Sequence, residues 1–214
     1  MENLEVERLK EEQTKLAKKI ILTDSFDKLD TVAGCDIAYT GNKIISAIVV
    51  CDYKTLQIRE KKYTIGKTRF PYIPGFLSYR ESPITIETFH KLEIDPDILI
   101  VDGNGILHPR MLGMASHLGL LLDKPTIGVS KGLLCGEKRG DSIYLGKEVI
   151  GKVIETKEGA KPIFVSPGHK IGFSTMLEII KHCLKEHKLP EPLHEAHKLA
   201  TKIRNKIKQE KNPE

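Results

Sequence analysis

Two residues whose side chains could take part in catalysis stand where consecutive strands end. Asp102 follows Ile98–Val101, an apolar, β-rich run typical of a strand buried on both faces, and Gly103-Asn104-Gly105 then requires a tight turn. Lys131 follows the next apolar strand, 126–129, by two residues. Open α/β sheets bind ligands at the carboxyl ends of central strands. The pattern predicts an acid and a cation at one sheet edge, although a turn cap and a solvated lysine explain either residue alone.

Two more acids extend this pattern. Asp36 lies inside a strand of small and apolar residues, where a carboxylate is costly to bury unless it is paired or binds a cation. Glu81 closes a loop just before a helix. Because Mg²⁺ takes carboxylate oxygens and keeps several waters, these acids indicate a hard-cation site. Spacing alone does not decide this, since a chain with 29 acids offers many such triplets.

The elements that must position these residues predict a single α/β domain over residues 1–214, with a mixed sheet flanked by helices. The order is a helix, a three-strand antiparallel meander, a β-α-β unit, short peripheral strands and two final helices. We predict helices within 1–25 and at 85–92, 111–122, 174–187 and 193–207, strands at 31–39, 43–52, 57–63, 98–101, 126–129, 142–145, 149–155 and 163–166, and a flexible tail at 208–214.

Composition narrows the functional classes. The net charge of +5 and the pI of about 8.9 permit a nucleic-acid partner without requiring one. The four cysteines form no CxxC pair, which favours buried thiols over disulfides or a zinc site. The sequence shows neither a signal peptide nor an apolar run long enough to span a bilayer, so we expect a cytoplasmic protein without a membrane partner.

Longer motifs carry a resemblance to a known family. The stretches AGCDIAYTG, FPYIPGFLSYRE, VDGNGILHPRMLGMASHLGLLLDKPTIGVSKGLL, VSPGHKIGFSTM and LPEPLHEAH occur in this order and cover the chain from about residue 31 to 197. Together they resemble endonuclease V, the deoxyinosine 3′ endonuclease family, whose fold is ribonuclease H-like. The resemblance implies a monomeric DNA-repair hydrolase that cuts the second phosphodiester bond 3′ to a deaminated adenine, leaving 3′-hydroxyl and 5′-phosphate ends.

The resemblance also assigns catalytic roles. Its metal-binding acids fall on Asp36 and Asp102, with Glu81 as a further ligand for Mg²⁺ or, in its place, Mn²⁺. Its lysine falls on Lys131, which would supply positive charge to the reacting phosphate. The last position of the site, acidic in some members and histidine in others, falls on His197. His169 is the alternative should His197 merely face solvent.

The proline-rich loop gains a role from the same resemblance. Pro71-Tyr72-Ile73-Pro74 can fill the gap that a base leaves when it is flipped out of the stack, although a rigid loop packed on the core is the alternative. His108 could donate to a phosphate or make only a turn contact. We predict that the flipped hypoxanthine enters a pocket lined by Gly75, Leu77, Gly103, Met114, Gly128, Ser130 and Leu134, whose backbone groups reject adenine by leaving partners unpaired.

Two other function classes are compatible with parts of the pattern. Another ribonuclease H-like nuclease, such as a junction resolvase or a hybrid nuclease, would not need the proline-aromatic wedge. A nucleic-acid-binding module with a dead active site would be expected to lack a metal carboxylate, and all three are present. Whether the substrate is deoxyinosine in single- or double-stranded DNA, or inosine in RNA, is not readable from the sequence.

Overall fold

The computed structural model describes residues 2–156, 159 and 161–211. Over these residues, five helices flank one mixed sheet of nine strands, in agreement with the α/β fold expected from the sequence. The helices are α1 (Glu2–Ala17), α2 (Leu77–Phe89), α3 (Met114–Leu122), α4 (Phe173–Cys183) and α5 (Glu191–Lys211). The strands are β1 (Thr31–Thr40), β2 (Lys43–Asp52), β3 (Ile58–Lys67), β4 (Ile98–Asp102), β5 (Thr126–Ser130), β6 (Glu137–Arg139), β7 (Ser142–Leu145), β8 (Glu148–Ile154) and β9 (Ile163–His169).

The sheet has the order β3-β2-β1-β4-β5-β9-β8-β7-β6. Strands β1, β2 and β3 form the antiparallel meander, β1, β4 and β5 are parallel, and β9 returns antiparallel beside β5. Parallel neighbours point their carboxyl ends to the same edge, which is where ligands meet such sheets. The topology therefore brings the ends of β4 and β5 together beside the second half of β1.

The two faces of the sheet are covered by different helices, because successive strand residues point to opposite sides. Val32, Ile98 and Ile100 pack with α4 and α5, whereas Ala33 and Leu99 pack with α2 and α3. Such strands, buried on both sides, explain the continuous apolar runs in the sequence. No helix of the described chain combines the length and apolar character that a bilayer crossing requires.

Helix α5 lies very close to β1 at Gly34. A Cβ atom at this position would come within 2.1 Å of the Pro192 carbonyl oxygen, so only glycine fits. The contact fixes the first turn of α5 against β1. One further turn and a half along α5, the same packing places His197 beside Asp36, two residues beyond Gly34.

Several predicted boundaries differ from the structure. Helix α1 ends at Ala17, not near residue 25, and α5 continues through 208–211 of the predicted tail, while 212–214 lie outside the described residues. Helix α2 begins at Leu77, eight residues before the predicted start, and carries Pro83 in its interior. Proline interrupts helical hydrogen bonding, which is why the sequence favoured a start there. Strand β9 is buried beside β5 and is not peripheral.

Candidate active site

Two carboxylates meet where β1 and β4 run side by side. Cys35 pairs in register with Val101, so the next residues, Asp36 and Asp102, are neighbours across the two strands. The Asp36 residue is only 5% exposed. Burial, followed by the hydrogen bond and the charge of Asp102, raises the pKa of Asp36 well above its ordinary value. The pair stores unfavourable electrostatic energy that a cation between the two groups would relieve.

Each of these acids has one cationic or imidazole neighbour. Lys131 Nζ lies 2.6 Å from Asp102 Oδ2, and His197 Nδ1 lies 2.8 Å from Asp36 Oδ2. The His197 side chain is 47% exposed, so the face of the ring away from Asp36 is open to solvent. Burial and, next, the charge of Lys131 lower the pKa of His197, which favours the neutral imidazole.

Glu81 reaches the acid pair from the first turns of α2. Tyr39 donates its hydroxyl proton to Glu81 Oε1 over 2.6 Å, and Arg80 Nε donates to the Tyr39 oxygen over 3.2 Å. Burial raises the pKa of Glu81 to about 7, with the charge of Asp102 adding to the shift and the Tyr39 bond opposing it. Tyr39 and Arg80 thus orient Glu81, a role that sequence reasoning missed although both residues stand inside the motifs quoted above.

The structure brings together the five residues predicted to act in catalysis, which are Asp36, Glu81, Asp102, Lys131 and His197. His169, the alternative to His197, pairs with Thr126 at the opposite end of β5 and is 3% exposed. Its Nδ1 accepts a hydrogen bond from the Ile21 amide over 3.2 Å. His169 therefore lies away from the acids, whereas His197 lies beside Asp36 at the acid edge.

A small cavity of about 130 Å³ opens beside the acids, behind the proline-rich loop. Gly103, the residue after Asp102, forms part of its wall. Five predicted pocket residues line it, namely Gly75, Leu77, Gly103, Met114 and Leu134, together with Tyr72, Ile73 and Pro74 of the predicted wedge. Sites for drug-sized ligands measure about 300–1,000 Å³, so this cavity suits a single small heterocycle. Pro71 is exposed and does not line it.

Two residues predicted to line the pocket do not do so. A Cβ atom at Gly128 would lie 2.2 Å from the Gly105 amide nitrogen, so this glycine packs β5 directly against the turn after β4. Ser130 turns its hydroxyl to the Gly132 carbonyl, 3.0 Å away. Neither residue lines the cavity. Gly128 instead allows β5 to pack closely against the turn.

His108 was predicted either to contact a phosphate or to make only a turn contact, and its hydrogen bonds favour the turn contact. The residue is 3% exposed, and its Nδ1 accepts from the Arg110 amide at 3.2 Å, which leaves Nε2 protonated to donate to the Gly75 carbonyl at 3.1 Å. Both ring nitrogens are thus occupied by protein groups. Burial and the nearby Arg110 charge lower the pKa of His108 to about 4, so the ring stays neutral and shapes the pocket wall.

The Gly75 carbonyl is the centre of a network that the sequence did not reveal. Besides His108, it accepts hydrogen bonds from Arg110 Nη2 and from Gln13 Nε2, each over 3.0 Å. Gln13 is fully buried on α1, and its side-chain oxygen accepts from Arg110 Nε. The first helix therefore anchors the end of the wedge loop. A lone glutamine within a charged helix gives no sequence signal for such a role.

The donor set of the acid edge suits a hard cation. Within the described chain, no three Asp, Glu, His or Cys side chains close around a single point. Mg²⁺ does not need such a cage, since it is usually held by one or two carboxylates, with waters and substrate phosphates completing its shell. Asp36, which is buried, and Asp102, whose side chain is 20% exposed, provide two such carboxylates.

Comparison with known proteins identifies one family. The family model described as Endonuclease V matches residues 14–198. An Endonuclease V from Dictyoglomus thermophilum is 45% identical over 201 residues, covering 90% of this chain and 88% of the relative. Among solved structures, the Bacillus subtilis Endonuclease V superposes with a TM-score of 0.85 at 32% identity, covering 92% of this chain and 91% of that one.

A Ciona intestinalis Endonuclease V carrying a D234N substitution was solved with a 23mer DNA that contains an inosine followed by a ribo-adenosine. It superposes with a TM-score of 0.86 at 30% identity, covering 95% of this chain and 98% of that one. The family match extends over most of the chain, and the curated relative exceeds 40% identity across nearly its whole length. The chain therefore belongs to the endonuclease V family, whose members are nucleases that act on DNA.

Proposed function

We propose that this protein recognises deoxyinosine in DNA by base flipping and hydrolyses the second phosphodiester bond on the 3′ side of the lesion. The proposal rests on one observation, which is that the acid edge and the cavity share a turn. Asp102 of the acid edge and Gly103 of the cavity wall are consecutive residues, so the groups for chemistry and the pocket for a base are joined by one peptide. The Ciona protein of the same family was solved with inosine-containing DNA.

The wedge loop is suited to separating a base from its stack. Tyr72 is 68% exposed while also lining the cavity, so its ring stands at the cavity mouth. An aromatic side chain there can occupy the space that a flipped base vacates. The flipped base would then lie between the loop and the turn after β4. Hypoxanthine carries N1–H as a donor and O6 as an acceptor, whereas adenine reverses both, so a fixed set of wall groups can reject adenine.

The catalytic residues act on the phosphate and on water. Endonuclease V nucleases generally act as metal-dependent enzymes, and Asp36 and Asp102, with Glu81 nearby, would hold Mg²⁺ or Mn²⁺. When bound, such an ion supplies Lewis-acid charge and lowers the pKa of an attacking water. Lys131, 43% exposed at its side chain beside Asp102, contributes positive charge toward the phosphate.

His197 is placed to help with the proton of the attacking water. Its Nδ1 is taken by Asp36, so Nε2 remains for a hydrogen bond to a water at the exposed face of the ring. The water oxygen bonds to phosphorus and its proton passes to His197 Nε2 while the P–O3′ bond breaks. The O3′ oxygen takes a proton from solvent water and leaves as a 3′-hydroxyl, and the phosphate stays on the 5′ carbon of the following nucleotide.

The experiment is a cleavage assay with paired substrates. End-labelled duplexes that differ only in one deoxyinosine or deoxyadenosine are incubated with the protein and Mg²⁺, and the product is mapped to a single nucleotide. We expect one product, cut one bond beyond the bond adjacent to deoxyinosine, and no product from the adenine duplex. Matched RNA and single-stranded substrates define the substrate range. Equal cleavage of both duplexes would refute the proposal.

A further inference from the structure

A second groove begins at the acid edge and follows α5. It has a volume of about 870 Å³ and lies between the outer side of α5 and the edge strand β3. Lys61 of β3 lines one side, and His197, Lys198, Lys202 and Lys206 line the other. Because His197 bonds to Asp36, the groove is continuous with the catalytic acids. The proposed chemistry does not use the rest of the groove.

The groove has a net positive charge after its internal ion pairs are counted. Its one carboxylate, Glu195, is 8% exposed and is held by Lys61 at 3.0 Å and by Lys198 at 2.6 Å. Lys202 and Lys206 are exposed and form no ion pair with another described side chain. The groove therefore presents an excess of ammonium groups for an anionic partner.

Three lysines form a regular row along α5, which we call the lysine track. Lys198, Lys202 and Lys206 follow each other at four-residue intervals, which places them on one side of the helix about 6 Å apart. From His197 to Gln209 the groove spans twelve residues of helix, or about 18 Å. One strand of B-form DNA advances about 3.4 Å per nucleotide, so this length matches roughly five nucleotide pairs.

A charged stripe on an amphipathic helix is often only a solvated face. The exposed residues of α5 that do not line the groove include Lys208 and Glu210, which are of opposite sign. The groove side differs because its unpaired groups are all lysines and because a strand edge encloses it.

We infer that this groove binds the phosphates of the nucleic-acid strand that flanks the scissile bond, over about five nucleotide pairs on one side. The inference rests on the proposed function for the position of that bond. Contacts of this kind set affinity and register without reading sequence. The groove would thus bind the substrate backbone on one side of the scissile bond, while the wedge and the pocket bind the base on the other side.

The test compares lysines of the same helix. Binding of an unmodified fluorescent duplex is measured by anisotropy over a range of salt concentrations for wild type, Lys202→Ala/Lys206→Ala and the control Lys208→Ala. We expect the double variant to bind about tenfold more weakly and to lose about two from the slope of log K against log salt, since each phosphate contact contributes about one. The control, and Lys202→Arg/Lys206→Arg, should keep the wild-type slope. An equal slope in the double variant and the control overturns the inference.

A second measurement shows which flank of the DNA contacts the lysine track. Deoxyinosine duplexes are shortened in steps from either end. For wild type, trimming one flank to within about five pairs of the cut should weaken binding, whereas the double variant should be insensitive to the same trimming. Insensitivity of wild type on both flanks contradicts the inference. Because the salt experiment uses undamaged DNA, it succeeds or fails independently of deoxyinosine cleavage by the wild-type protein.

Discussion

The acid edge and the base pocket are neighbours built on opposite electrostatic principles. At the acid edge, Asp36 and Asp102 are held together with a raised Asp36 pKa and only partial compensation from Lys131. At the pocket, the Gly75 carbonyl receives three hydrogen bonds, and His108 has both ring nitrogens satisfied. Under the proposed function, recognition of the base would be preorganised by the protein alone, whereas the chemistry would require a cation that the fold does not replace.

The largest effect is expected from substitution of the two acids at the acid edge. Asp36→Asn and Asp102→Asn should each reduce cleavage of deoxyinosine duplex by at least about a thousandfold, since each deletes a metal ligand. Binding should be unchanged or tighter because a negative charge near phosphate is lost. Single-turnover cleavage and anisotropy measure the two effects. A variant with near wild-type rates would show that the wrong acid has been assigned.

Removal of the metal tests the same edge without mutation. In EDTA, cleavage should fall below detection, and Mg²⁺ or Mn²⁺ should restore it. Ca²⁺ should support binding with little turnover, because its looser coordination positions the water poorly. Product formation is followed on an end-labelled duplex. Full activity in EDTA would rule out the two-carboxylate mechanism.

The pocket side is tested by Tyr72→Ala. We expect discrimination between deoxyinosine and undamaged duplex to fall about tenfold, with a smaller effect on deoxyinosine in a single strand, where no base pair has to open. Ratios of kcat/KM on the four substrates report the effect. An equal loss on duplex and single strand would mean that Tyr72 acts in general stacking or in folding.

A smaller effect is expected from the anchor beneath the loop. Gln13→Ala removes a buried bond to the Gly75 carbonyl and leaves Arg110 Nε without its partner, so we expect about 1–3 kcal/mol of lost stability and a severalfold loss of base discrimination. Thr14→Ala, one residue away on the exposed side of α1, is the matched control. Denaturant unfolding and substrate ratios measure the two effects. If Gln13→Ala lowers stability but leaves discrimination intact, the anchor serves only the fold.

The smallest expected effect is a gain in stability from the acid edge. The folded state raises the pKa of Asp36. The contribution of this carboxyl to the free energy of unfolding is therefore fully present below the ordinary carboxyl pKa near 4 and is lost as pH rises through the raised value. Asp36→Asn should therefore raise the Tm of the metal-free protein by about 2–4 °C at pH 8 and little at pH 4. The exposed Asp27→Asn is the control. A lower Tm for Asp36→Asn at pH 8 would contradict the uncompensated edge.

The sequence predicted the parts that depend on continuous pattern. Apolar runs ending on Asp102 and near Lys131 indicated the central strands, and the family motifs indicated Asp36, Glu81 and His197, which the structure brings to one edge. It failed where a contact joins distant residues. The Gln13 contact with Gly75 spans 62 positions, and no local pattern encodes it.

Errors in the predicted pocket have the same origin. Gly128 and Ser130 belong to the strand beside β4, but only tertiary packing shows that Gly128 contacts the turn after β4 and that Ser130 bonds to the Gly132 carbonyl. For His108 the sequence left a phosphate contact and a turn contact open, and only the fold shows that the residue is buried with both ring nitrogens bonded to protein groups. Helix α2 begins before Pro83 because its packing against α3 and the sheet outweighs the local effect of proline.

One measurement tests the division between the two regions most directly. The Kd of the wild-type protein for deoxyinosine duplex and for the matched adenine duplex is determined in EDTA, where no cleavage occurs. If the pocket is preorganised without metal, deoxyinosine should remain favoured by about tenfold or more, although the acids are inactive. Loss of this preference in EDTA, with recovery only on adding Ca²⁺ or Mg²⁺, would contradict the account and assign recognition to the metal site.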